Sequence, residues 1–150
     1  MSAYALARLD PAANQGQARS ELAKARDEWE PPSVHARADM DLTTAQTLLQ
    51  LGQLDAAEAA VATSIQTWKQ GTDRCEGVVA DITLARLHVQ AGDHDGLPLA
   101  AAAIDDAARL RSSLARELWL TSLADALDSR PGSDAQGLAR RARKVAATPA

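Results

Sequence analysis

Phenylalanine is absent from this sequence of 150 residues, and tyrosine and cysteine each occur once. The β-branched and aromatic runs that mark strands are missing, so a sheet is not expected. The single Cys75 cannot form an internal disulfide, and nothing else points to an oxidising compartment. No apolar stretch approaches the roughly 18–20 residues needed to cross a bilayer. Met1 to Asp10 lacks a basic segment followed by an apolar one, the mark of an export signal. A cytoplasmic location with no membrane contact is the expectation.

What the chain does contain is alanine and leucine in excess. Both lose little on entering a helix, so an all-α fold is expected, in a single domain spanning residues 1–150 with a core of its own. The net charge of −4 is unevenly placed. Residues 1–110 carry 9 Lys and Arg against 16 Asp and Glu, a balance of −7; residues 111–150 carry 7 against 4, a balance of +3. Most of the chain is therefore a poor match for nucleic-acid phosphates, and direct nucleic-acid binding is not expected. The basic excess gathers at Arg140, Arg141, Arg143 and Lys144.

Gly52, Gly92 and Gly132 recur at intervals of 40 residues, each between two helical patterns. Ser33, Asp73 and Ser113 stand about 19 residues ahead of them and are good helix N-caps. The period is a capped helix, a glycine turn and a second helix, and glycine past a helix end adopts the left-handed conformation at little steric cost. The pattern predicts a short helix over 2–9, a turn opened by Asp10-Pro11, then helices over 16–29, 33–51, 55–69 (capped by Asp55), 73–91, 96–110, 113–129 and 134–147. These make helix pairs at about 1–30, 33–70, 73–111 and 113–147. Pro31-Pro32 breaks the chain between the first two pairs.

Apolar spacing supports this division. Leu54, Ala57, Val61, Ile65 and Trp68 form one stripe, and Leu97, Ala101, Ile104 and Ala108 another. The helix over 73–91 is apolar on two faces, Val78, Ile82, Ala85 and Val89 on one, Ala80, Leu84, Leu87 and Ala91 on the other. Two faces suit a helix clamped between neighbours, and Ala57, Ala85 and Ala101 let backbones approach closely. That is the logic of a solenoid, in which each unit buries its face on the next.

Ala45 with Leu51-Gly52-Gln53-Leu54-Asp55-Ala56-Ala57 resembles a tetratricopeptide repeat (TPR), with small residues in both helices and a glycine at the turn. Ala85 with Ala91-Gly92-Asp93-His94-Asp95 repeats it, departing at Leu97 where a small residue is the rule. A closer resemblance rests on Trp29-Glu30-Pro31-Pro32, Ala38-Asp39-Met40-Asp41, the run from Asp81 to Val89, and Ala126-Leu127 with Ser129 to Ala135. These resemble the C-terminal TPR region of actinobacterial helix-turn-helix regulators of the XRE type. The chain starts almost directly in the repeats, so the DNA binding of such regulators is not expected to carry over. The resemblance implies a TPR-like α-solenoid of stacked antiparallel hairpins, about seven helices in all.

Candidate chemistry is sparse. Asp93-His94-Asp95 are adjacent in a turn and diverge, which suits a solvated turn capped by Asp95 better than a metal. His35 and His88 have no ligand pair at helical spacing and read as surface or packing residues. Cys75 lies near Arg74 at a helix start, where a thiol pKa falls, but no histidine lies nearby in sequence to activate it. Asp39 with Asp41, and Asp105 with Asp106, read as solvated acids. Trp29 and Trp68 each end a second helix and read as packing residues, while Trp119 lies early in a first helix. No phosphate loop, nucleophile elbow or metalloprotease motif occurs. No cofactor, metal site or catalytic residue is expected, and binding is favoured over catalysis.

In TPR arrays the first helix of each pair lines a concave groove. The resemblance assigns to it Asp39, Leu42, Gln46, Leu49 and Gln50, then Val79, Ile82, Arg86, Val89 and Gln90, then Trp119, Ser122, Ala126, Ser129 and Arg130. Gln amides can bond an extended backbone in both directions, and arginines can fork onto a carboxylate. The expected polar contacts are Asp39, Gln46, Gln50, Arg86, Gln90, Trp119 and Arg130, holding a peptide, a protein partner or a small ligand in a regulatory setting. The competing readings are a dimerisation or scaffold module, in which Tyr4, Leu6 and Leu9 are covered by a second copy or a partner, and a small helical accessory enzyme acting on a peptide or natural-product intermediate.

Overall fold

A computed structural model describes residues 9–28, 30, 33–70 and 74–149. Among them are seven α-helices and no strand: α1 (Pro11–Glu28), α2 (Val34–Gln50), α3 (Leu54–Gln70), α4 (Arg74–Ala91), α5 (Gly96–Ala108), α6 (Ser113–Asp128) and α7 (Ser133–Ala147). Expectations for the helix at 2–9, Trp29, Pro31-Pro32 and the Asp73 cap fall wholly or mainly outside the described residues. None of the described helices is long and apolar enough to cross a membrane.

Several helix starts differ from the expected ones. Asp10-Pro11 opens a helix directly: Asp10 Oδ1 accepts from the Ala13 N–H at 3.1 Å, and proline at the first helical position lacks only an N–H that a helix start leaves unused. α3 begins at Leu54, with the Gln53 carbonyl accepting from Ala57, so Asp55 sits in the first turn, where its charge meets the positive end of the helix dipole. Ser33 caps α2 as expected, its Oγ accepting from Ala36 at 3.1 Å. Ser112, not Ser113, caps α6 through the Ala115 N–H. Asp95 stands at the cap of α5 with no capping bond from its side chain.

The glycine turns follow a simple rule. Gly52 (φ +72°) donates to Leu49 O while Gln53 donates to Leu48 O; Gly92 (φ +77°) donates to Val89 O while Asp93 donates to His88 O. Each pair of bonds satisfies the last carbonyls of a helix and reverses the chain. The third turn departs from the pattern. The helix already ends at Asp128 with Ser129 as its C-cap, and the residue that would close the wider loop is Pro131, which has no N–H to donate. Gly132 (φ +112°) therefore sits at the start of α7 rather than the end of α6.

The chain divides into two compact units, Met1–Gly71 and Thr72–Ala150. In the first, α2 and α3 fold back as a hairpin, with the buried Ser64 Oγ donating to Ala38 O at 2.9 Å. α1 lies against α2 and buries Ala18 and Leu22. In the second, α4 pairs with α5 and α6 with α7; α4 also packs on α6, and α5 on α7. Ile104, Leu120, Leu123 and Leu127 are fully enclosed there among alanines of α4, α5, α6 and α7. Burying each such side chain stabilises the unit by roughly 1.5–3 kcal/mol. α5 buries Ala100, Ala103, Ile104 and Ala107, so its buried stripe is displaced from the expected Leu97, Ala101, Ile104 and Ala108: Leu97 and Ala101 are half-buried and Ala108 is exposed.

Candidate functional site

Three of the seven expected contact residues, Asp39, Gln46 and Gln50, belong to the first unit, and four, Arg86, Gln90, Trp119 and Arg130, to the second. Asp39 is exposed, Gln46 buried and Gln50 half-buried along α2. In the second unit Gln90 is exposed one helical turn beyond Arg86, which is buried in α4. Trp119 is half-buried with its apolar body against the core. Arg130 reaches back to the α4–α5 turn, where its Nη2 donates to Gly92 O at 3.4 Å. It thus supports the carbonyl end of α4, which favours a cation.

The remaining candidates are largely occupied by one another. His88 Nδ1 lies 2.8 Å from an Asp93 carboxylate oxygen, bracing the end of α4 against the following turn, and His94 Nε2 lies 3.1 Å from Asp95. The His35 ring is tilted against Trp68 at 5.4 Å between centroids. Among the described residues, no three His, Cys, Asp or Glu side chains are grouped to hold a metal ion. Of the basic cluster on α7, Arg141 pairs with Asp105 of α5, and Arg143 with both Asp125 and Asp128 of α6. The Arg143 guanidinium beside Asp128 holds that carboxyl below its ordinary value. The buried Arg116 donates through Nη2 to Thr148 O at 3.0 Å, tying α6 to the segment after α7.

One constellation lies outside the expected groove. In the first unit a recess of about 380 Å³ is lined by Asp41 and Arg37 of α2, Arg26 of α1, and the short side chains of Ala56, Ala59 and Thr63 on α3. Asp41 is only 7% exposed. Its pKa is raised because burial disfavours the ionised form, and the nearby Arg26 and Arg37 charges offset that only in part. Neither arginine closes an ion pair with it among the described residues. The sequence shows Arg37 one helical turn before Asp41, a spacing that invites a surface pair. Nothing in the spacing reveals that Arg26, from a separate helix, completes the set.

No protein-family model matches the chain, and neither a curated protein nor a solved structure matches it.

Proposed function

We propose that this chain is a TPR-type binding module, similar to the repeat region of XRE-type regulators, and that it holds a peptide or protein partner on the face formed by α4 and α6. The observation that supports this most directly is the packing in the second unit, where the first helix of one hairpin lies on the first helix of the next and the second helix on the second. Stacking of that kind creates a continuous wall from successive first helices, as in repeat arrays. On this face Gln90 supplies an exposed amide and Trp119 a partly exposed indole. An amide can both donate to and accept from an extended backbone, and an indole offers area with few torsions to fix.

The test is selection from a random peptide-display library against the purified chain, followed by titration of the enriched peptides. Peptides that bind the wild type and lose affinity to Gln90→Arg, which adds bulk and charge at an exposed position, support the assignment. A library that yields no binder, or binders indifferent to Gln90→Arg and to Trp119→Leu, refutes it.

A second reading, self-association, is favoured by Leu114 and Leu118. They stand one turn apart on α6 and are 74% and 37% exposed. Sedimentation of wild type and Leu114→Glu separates the two: a concentration-dependent dimer that the substitution abolishes belongs to self-association.

A further inference from the structure

We propose that the recess of the first unit binds a small zwitterion, a free α-amino acid, with the carboxylate on Arg26 and Arg37 and the ammonium on Asp41. The site lies wholly within the first unit and is independent of the α4–α6 face. Two guanidinium groups from two different helices call for an anion. A buried carboxylate with no hydrogen-bond partner among the described residues calls for a donor or cation. A simple anion would leave Asp41 unpaired and facing its own sign; a simple cation would face two arginines. An amino acid carries both charges one carbon apart and answers both demands. The short side chains of Ala56, Ala59 and Thr63 leave the room, and about 380 Å³ suits a ligand of that size.

The arrangement also runs against stability. An acid whose ionisation is disfavoured by burial, beside arginines that do not pair with it, costs the fold something at neutral pH. A group kept at such a cost is what a binding site requires and what a purely structural contact does not.

Each L-amino acid is added singly at millimolar concentration while the thermal melt and the amide spectrum of the whole chain are followed; propionate and propylamine serve as half-ligands. The expected result is that one or more amino acids raise the melting temperature and shift amides of α1, α2 and α3, and that neither half-ligand does. Asp41→Asn should weaken binding by about tenfold or more while leaving the melting temperature of the free protein unchanged or higher. Arg37→Gln should weaken binding similarly. No response to any amino acid overturns the proposal. So does a response to propionate that matches the best amino acid and survives Asp41→Asn, which would make the recess an anion site. A fall in the melting temperature of Asp41→Asn, with binding retained, would assign Asp41 a structural role and overturn it equally. None of these outcomes touches peptide binding at Gln90.

Discussion

Gly96→Ala puts the close approach of α4 and α5 to a direct test. A Cβ at this position would lie 2.9 Å from Val89 N and 3.0 Å from the carbonyl carbon of His88, both backbone atoms of α4, and 2.9 Å from Nη1 of Arg130. The arginine can swing aside, but the His88–Val89 peptide of α4 cannot. The start of α5 must then move off α4, loosening Ala100 and Ala103 against the core and releasing Arg130 from Gly92 O. Overpacking of this kind costs about 1–3 kcal/mol. Alanine's better helix propensity returns at most about 1 kcal/mol, and less than that at the first helical position. The net destabilisation is about 1–2 kcal/mol, or roughly 2–8 °C in melting temperature for a chain of this size. Circular dichroism during heating and urea titration measures it, with Gly16→Ala as the control. Gly16 is inside α1 with nothing within 4 Å of an added Cβ, so that variant gains about 0.5–1 kcal/mol. A Gly96→Ala protein as stable as wild type would refute the close approach and the role given to Arg130.

Ile104→Ala removes a fully enclosed side chain from the second unit and should cost about 2–5 kcal/mol, read as a lower urea midpoint. Arg143→Gln and Asp41→Asn should act with opposite signs across acid pH. Asp128 is held below its ordinary value of 3.8 by Arg143, so the stability it contributes is present above that value and is lost as pH falls through the folded pKa; Arg143→Gln should melt lower than wild type at neutral pH, with the gap closing in acid. Asp41 has a raised folded pKa, so its cost is absent below 3.8, grows as pH rises toward the folded value and is full above it; Asp41→Asn should melt higher at neutral pH and lose that advantage in acid. Melts at several pH values check both, and a gap that does not change with pH would contradict either assignment.

The hairpins were legible because their punctuation is chemical. Gly52 and Gly92 sit where a left-handed residue must close a helix, and the two wider turn bonds follow from that placement. The turn at Gly132 lies where the sequence places it but differs in its bonds, because Pro131 removes a donor and the turn reorganises around the loss. The α5 register was illegible for a different reason. Ala100 to Ala103 is a run of one residue type, and a run with no polar member carries no phase. The cap of α6 lies one residue from the expected one because two serines, Ser112 and Ser113, adjoin there. The recess at Asp41 could not be read because one of its three charges, Arg26, is brought in by a separate helix, and spacing within one helix is silent about that.

The distribution of charge acquires a different meaning once the contacts are known. Taken by composition, residues 111–150 form a basic end that could invite an acidic partner or a phosphate backbone. In the structure Arg141 and Arg143 spend their charge on Asp105, Asp125 and Asp128, linking α7 to α5 and α6, and the buried Arg116 is turned toward Thr148. Arg140 and Lys144 remain exposed on α7 without an ion pair among the described residues. Electrostatic affinity for nucleic acid grows with the number of phosphates neutralised, and the displaced counterions set its salt dependence. Two of the four α7 cations are thus paired with acids of the same chain, and two are left exposed. Arg141 and Arg143 add exposed ion pairs to a second unit whose α6–α7 contact is already filled by Leu120, Leu123 and Leu127.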